Sequence, residues 1–371
     1  MARLYKRSQK KLLVMKDLIF KAEEISVKLS YLKGASEVID LLSDNLKYCV
    51  IADAKVLEMH QDFKNRLLEK GCLIFEVEEA EKQKNLETYS EAIAFMQKNG
   101  MNRHDCLIGF GGGAITDLTG FVASSYMRGI KYFQIPTSLL AQVDASIGGK
   151  TGINFGHIKN FVGSFYNPAQ VFICADFLET LNEQEFLNGF SEVIKHSFIT
   201  SKESAEEIKK TSQEILAKDA DTMLRCIEES IQIKAQIVAS DFREKGVRKY
   251  LNFGHTFAHG IESVNHKNPI FHGHAVIIGM LMALKYSKEL GFLQEDSYKL
   301  AKDTIGHFNY DFSNIELDAE EIFEAMKSDK KNTKAINLVL LREIGQPFIY
   351  EEKSSEKLKT FIKEFINDFT K

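Results

Sequence analysis

The feature that most restricts the fold is an alternation in the first half of the chain. Short, uninterrupted apolar runs are separated by stretches of helical spacing. Lys47–Asp53, Cys72–Val77, Cys106–Phe110, Lys131–Pro136 and Val171–Ala175 read as strands, and Leu86–Gln97 carries apolar residues at helical intervals. Runs that are apolar throughout fit strands covered on both faces. Their alternation with helices predicts a mostly parallel sheet between helical layers, an α/β fold.

After about residue 178 the texture changes. Glu179–Phe242 is dominated by helix formers, with residues such as Ile208, Ile215 and Leu216 at helical spacing, and no proline falls between Pro168 and Pro269. The expected organisation is an α/β domain over residues 1–178 and an all-α domain over residues 179–371.

Composition excludes several classes. With 44 % apolar and 27 % charged residues the chain is not intrinsically disordered. The 48 basic and 52 acidic residues give a net charge of −4, which argues against general nucleic-acid binding. No apolar run approaches the ~18–20 residues of a membrane helix. The basic N-terminus lacks the apolar core of a secretory signal; it reads as a solvated arm, with a transit peptide or nucleic-acid arm as the alternative. Five cysteines (Cys49, Cys72, Cys106, Cys174, Cys226) are scattered without paired spacing. Buried thiols in a reducing cytoplasm are expected rather than a disulfide framework.

Gly109-Phe-Gly-Gly112-Gly113-Ala-Ile-Thr-Asp117 follows a strand and opens a helix. Such a loop suits a phosphate at the helix N-terminus, and equally a tight strand-to-helix turn. The acid usual in a dinucleotide site about 20 residues on is not obvious. Asp53, ending the first strand, is either a ribose acceptor or a helix N-cap. Gly148-Gly149-Lys150 resembles part of a phosphate-binding P-loop, but Asp144 stands where that motif needs glycine, so a P-loop NTPase is rejected.

Five of ten histidines fall between residues 255 and 274. His255 and His259 share a helix face, and His272 returns after a loop through Pro269. Glu192 is an acid in an apolar helical context, a placement that needs a partner. Two histidines and a carboxylate with an open position describe a catalytic zinc site; the alternative is a set of ordinary, satisfied histidines. Arg128, Lys150, Lys159 with Asn160, Lys195, Lys234, Arg248 and the pair Lys330–Lys331 are either anion ligands or solvated charges.

Together these segments resemble the 3-dehydroquinate synthases of the sugar-phosphate cyclase family. The resemblance runs through Gly111–Phe121, Ile135–Asn154, Glu192–Lys195, Arg248–His259 and His272–Val276. It implies an N-terminal Rossmann-like NAD-binding domain, a helical C-terminal domain, an active site in the cleft between them and a homodimer. It implies zinc (or Co2+) on Glu192, His255 and His272. NAD contacts are implied at Asp53, Glu81, Lys84, Gly112, Gly113, Asp117, Thr137, Lys159, Thr180 and Glu185. Substrate contacts are implied at Asp144, Lys150, Asn160, Lys195, Lys234, Arg248, Asn252, His259 and one lysine of Lys330–Lys331, with Arg128 reaching the neighbouring subunit's substrate. The implied substrate is 3-deoxy-D-arabino-heptulosonate 7-phosphate, a small sugar phosphate, with no role for nucleic acid or membrane.

The chain departs from the family pattern at His274, where glutamate is usual; at Lys55 and Ser138, for asparagine and threonine; and at Thr116, for glycine. His274 lies beside His272, so altered tuning of the metal is expected there. The hairpin that usually starts the family's fold is hard to discern before residue 47. Rival readings are a sister cyclase (2-deoxy-scyllo-inosose or valiolone type), a metal- and NAD-dependent alcohol dehydrogenase, and a non-catalytic relative.

Overall fold

The computed structural model describes residues 17–22, 25–156, 158–329 and 335–369. The strands are β1 (Asp17–Ala22), β2 (Ile25–Leu32), β3 (Tyr48–Asp53), β4 (Leu73–Val77), β5 (Cys106–Gly111), β6 (Lys131–Pro136), β7 (Lys150–Phe155), β8 (Ile158–Phe165), β9 (Gln170–Cys174), β10 (Ile336–Leu341) and β11 (Pro347–Glu352). Seven of them form one sheet in the order β1-β2-β9-β6-β5-β3-β4. β1 runs antiparallel to β2 at one edge, and the other pairings are parallel.

The continuous apolar runs are explained by burial on both faces. Along β3, Tyr48, Val50 and Ala52 enter one core, while Cys49 and Ile51 enter the core on the opposite face. β5 divides likewise: Cys106, Ile108 and Phe110 pack on one side and Leu107 on the other. The third core joins β2 and β9, through Val27, Leu29, Val171 and Ile173, to the helical half. Four of the five cysteines are buried and all five are free thiols.

β4 lies on one side of β3, and β5, β6 and β9 lie on the other. The strand order therefore reverses between β3 and β5. In open α/β sheets a crevice opens at the carboxyl ends of the two strands flanking such a reversal, and ligands bind there. Asp53 ends β3 and Gly111 ends β5.

The C-terminal region is helical, as expected, but includes the hairpin β10–β11. Its Asn337-Leu-Val-Leu-Leu341 run is too short for periodicity to separate strand from buried helix. Two further hairpins lay outside the sequence reading. β1–β2 is the opening hairpin that was hard to discern, although Val27, Leu29 and Tyr31 alternate along β2 and are buried. β7–β8 carries mostly exposed residues on β8, which gave no apolar signal. Among the described residues no helix is long and apolar enough to cross a membrane.

Candidate active site and metal centre

The glycine loop and Asp53 meet at the strand-order reversal. A Cβ on Gly111 would lie 2.7 Å from Ile115 Cγ1 and 3.1 Å from Asp53 Cβ, so only glycine lets the two strand ends approach this closely. Gly112 is the N-cap and Gly113 the first residue of the helix Gly113–Ser125, and no side chain caps it. That end is open to an anion in the geometry a phosphate uses. Asp53 Oδ1 accepts from Lys55 N at 3.1 Å and Val56 N at 3.2 Å, so the capping alternative is realised. Thr137 N donates to Gly111 O at 3.0 Å. Thr116, at the family's glycine, turns its hydroxyl back onto Gly113 O at 2.8 Å.

Beside the loop, the buried Lys84 ammonium donates to Asp117 Oδ2 at 3.0 Å and to Asn160 Oδ1 at 2.7 Å. Glu81 Oε2 is 3.9 Å from Lys84 Nζ, and Glu81 Oε1 is 4.0 Å from Lys159 Nζ. Burial pushes Asp117 above the usual carboxylate range, opposed by Lys84. Five residues named from the sequence therefore form one cluster. Thr180 and Glu185 do not join it. Thr180 Oγ1 donates to Phe177 O, and Glu185 N donates to Asn182 Oδ1, both local contacts before and within the first turn of the helix Glu183–Thr200.

That helix carries Glu192 into the interior at 0 % exposure. His255 opens the helix His255–Val264 and His272 opens the helix His272–Glu289. The two helices cross closely: a Cβ on Gly279 would lie 2.2 Å from Gly254 O. Gly254 itself has φ +80°, the left-handed turn that starts the first of them. Asn188 Oδ1 accepts from Gly273 N at 2.7 Å and pins the second to the Glu192 helix.

Glu192 Oε1 consequently lies 3.6 Å from His255 Nε2 and 3.7 Å from His272 Nε2. Ligands on a tetrahedral zinc with bonds of about 2.0–2.1 Å are about 3.4 Å apart. Glu192 Oε1 is buried without a hydrogen-bond partner, an arrangement that a cation at the shared point satisfies. Lys195 donates to the other oxygen, Oε2. Although burial opposes it, Lys195 holds Glu192 well below the usual carboxylate range. Burial, reinforced by Lys195, pushes His255 down to about 3, which keeps it a neutral ligand. For His272 burial is outweighed by Glu192 and Glu262, which push it up to about 10. A metal at its Nε2 replaces that proton.

Asp144, Glu192 and His196 form a second group with ligand atoms within 4.8 Å of one another. Lys234 donates to Asp144 Oδ1 at 2.6 Å and Lys195 is on Glu192, so two ammonium groups already neutralise those oxygens. The first triad is the better cation site.

The anion candidates gather near the β7–β8 hairpin and the helical half. Asp117, Lys150, Asn160, Phe161 and Phe165 line a cavity of about 350 Å³. Lys150 pairs with Glu244, whose Oε1 accepts from Asn252 Nδ2 at 2.7 Å. The Lys234 ammonium also donates to Asp144 O at 2.6 Å. Arg248 is only 2 % exposed and donates to the carbonyls of Phe242 and Gly148, so it braces the glycine turn before Lys150. The His259 ring centroid is 5.8 Å from that of His255. Arg128 lies on an exposed turn, in the left-handed region at φ 70° after Met127 at φ 49°, outside this cluster. Lys330 and Lys331 lie outside the described residues.

Sequence reasoning missed Glu244 and Glu262. Glu244 sits among other charged residues and Glu262 on a helix beside Ile261, and only tertiary structure gives them partners. His274, where altered tuning of the metal is expected, makes no hydrogen bond to the triad. Its two ring nitrogens have no hydrogen-bond partner, and it is buried against Phe271, Tyr310 and Phe312, with ring centroids 5.3–6.3 Å away. The outer partner of His272 is instead Glu262 Oε1, at 3.1 Å from Nδ1.

Residues 74–188 match the family 3-dehydroquinate synthase N-terminal, and residues 189–332 match 3-dehydroquinate synthase C-terminal. A 3-dehydroquinate synthase of Clostridium tetani is 38 % identical over 335 residues, covering 88 % of this chain and 87 % of that protein. The chain belongs to the 3-dehydroquinate synthase family. It is an enzyme family, and its fold extends beyond it. A solved 2-deoxy-scyllo-inosose synthase with carbaglucose-6-phosphate, NAD+ and Co2+ superposes with a TM-score of 0.85 at 21 % identity, covering 95 % of this chain and 99 % of that one. A 2-epi-5-epi-valiolone synthase from Streptomyces hygroscopicus with NAD+ and Zn2+ gives 0.82 at 21 % identity, covering 98 % and 100 %. The sister cyclases thus share the fold, while the much higher identity lies with the dehydroquinate synthases.

Proposed function

We propose that this chain converts 3-deoxy-D-arabino-heptulosonate 7-phosphate to 3-dehydroquinate and inorganic phosphate. The carrying observation is the Glu192–His255–His272 triad, in a chain 38 % identical to a named 3-dehydroquinate synthase over most of its length. Zinc (or cobalt) held by the triad supplies Lewis acidity toward a ring hydroxyl, and NAD held at the β3–β5 crevice supplies a reversible hydride acceptor.

The protein's own groups do the rest. Asp53, Gly112, Gly113, Thr137 and Lys84 with Glu81, Asp117 and Lys159 hold the dinucleotide, with Thr180 and Glu185 as outer contacts. Lys150, Asn160 and Asn252 hold the substrate phosphate, and Lys234 and Arg248 its carboxylate, joined by Lys330 or Lys331. Oxidation of a ring hydroxyl acidifies the neighbouring C–H, so phosphate leaves by elimination. The hydride then returns, and ring opening and intramolecular aldol closure form the carbocycle. Lys195 and Asp144 fix charge around the oxidised carbon, and His259 moves a proton after ring opening.

We further propose a cytoplasmic homodimer in which the exposed Arg128 reaches the neighbour's substrate phosphate, with each subunit dividing near residue 178. Formation of 3-dehydroquinate by the zinc-loaded protein with sub-stoichiometric NAD tests the reading. A folded, zinc-loaded protein that leaves this substrate intact sinks it and turns attention to a sister cyclase substrate.

One pH dependence follows. Burial pushes Lys234 down to about 8, against the opposing pull of Asp144. As pH rises through that value the ammonium is lost, and with it attraction for the substrate carboxylate. The expected kcat/KM profile carries an alkaline limb near pH 8, and Lys234→Arg moves the limb upward. A profile flat to pH 10 in the parent enzyme contradicts the assignment.

A further inference from the structure

The two imidazoles of the triad are supported unequally. His255 is the more enclosed, its side chain 14 % exposed, and its Nδ1 lies 3.2 Å from the Phe253 carbonyl. His272 is 32 % exposed and is the first residue of its helix, following Phe271, which offers no side-chain cap. Packing alone therefore restrains His272 less. Its Nδ1 instead meets Glu262 Oε1 at 3.1 Å. Glu262 projects from the helix His255–Val264, two turns beyond His255. One helix thus supplies one ligand and the carboxylate that meets the other.

We infer that Glu262 is a positioning residue for the metal centre: it orients His272 and fixes the tautomer whose free lone pair is on Nε2. The geometry leaves Nδ1 as the donor and directs Nε2 toward Glu192 Oε1, 3.7 Å away. Ligating histidines ordinarily give their other N–H to a carboxylate or carbonyl, and loss of that partner weakens metal binding about 10–100-fold. The helix N-terminus at His272 adds a positive dipole end, which favours the nearby carboxylate. His274, one of the positions at which this chain departs from the family pattern, contacts neither Glu262 nor the triad through a hydrogen bond, so it is no substitute.

The inference rests on the metal site of the proposed function but not on its substrate. Its test is zinc affinity, measured by competition with a chromophoric chelator on the full-length protein, alongside thermal unfolding to establish folding. Glu262→Ala is expected to weaken zinc binding about 10–100-fold. Glu262→Gln keeps an acceptor oxygen at the same reach and is expected to retain affinity within a few-fold. With Co2+ in place of zinc, Glu262→Ala should also alter the visible ligand-field spectrum. Wild-type affinity in both variants overturns the inference, and so does an equal loss in both. If Glu262→Ala fails to fold, Glu262→Asp, whose carboxylate falls short of Nδ1 by one methylene, takes its place with the same expected loss. A normal zinc result with no turnover of the sugar phosphate would count against the substrate reading alone.

Discussion

Glu192→Gln is expected to abolish tight zinc binding and to lower phosphate release on the order of 10³-fold, about 4 kcal/mol of barrier. The substitution is chosen for its size. Glutamine fills the same fully buried volume and still accepts from Lys195, so shape is kept while the anionic ligand is lost; because the Lys195 ammonium then loses its carboxylate, thermal unfolding is measured beside activity. His255→Ala and His272→Ala should show the same pairing of lost metal and lost activity. Metal analysis and an activity assay on one preparation check it. Full activity in a Glu192→Gln protein that holds no zinc would remove the triad from the chemistry.

The second large effect is on stability. Lys195 is 1 % exposed and its ammonium lies on Glu192, which is 0 % exposed. Removing one partner of such a pair leaves a buried charge uncompensated, at a cost of about 3–5 kcal/mol. Lys195→Met should therefore unfold at markedly lower denaturant than the parent when both are stripped of metal. Zinc binds the folded state and supplies a cation at the same carboxylate, so it should recover much of the loss. Denaturant titrations with zinc and with chelator measure both arms. Equal stability of the metal-free parent and variant would contradict the account, as would a deficit untouched by zinc.

These two residues also show how much was legible before the structure. Glu192 stood out because an acid in an apolar helical run needs a partner; spacing brought out His255 with His259 and offered His272 as a third, and the family resemblance chose His255 and His272. The strands β3, β5, β6 and β9 were legible for a related reason: a run buried on both faces leaves no polar alternation to confuse with helix. The hairpin β7–β8 was not. It is rich in glycine and short polar residues, and Phe155, Ile158 and Phe161 are more than half exposed. In sequence it read only as a basic, glycine-rich stretch, although it lines the cavity that holds Lys150 and Asn160.

The outer residues were illegible for a different reason. Glu244 sits in a charged loop and Glu262 on an ordinary helix, and nothing local marks either. Their importance is a distance: Glu244 to Lys150 and Asn252, and Glu262 to His272. Arg248 shows the converse. Its charge marked it in the sequence, while its burial and its bonds to two backbone carbonyls are a matter of tertiary structure. His274 likewise looked like part of the metal centre because it is two residues from His272, but the helix carries it into an aromatic pocket.

The central claim is that one centre oxidises and re-reduces the same substrate while phosphate leaves. It is tested most directly by following phosphate and NADH together. The zinc-loaded protein is given an excess of 3-deoxy-D-arabino-heptulosonate 7-phosphate over NAD. The account predicts phosphate release far exceeding the NAD supplied, no net NADH, and arrest on chelation that zinc reverses. NADH accumulating in step with substrate consumed would make the protein a dehydrogenase, and would contradict the account.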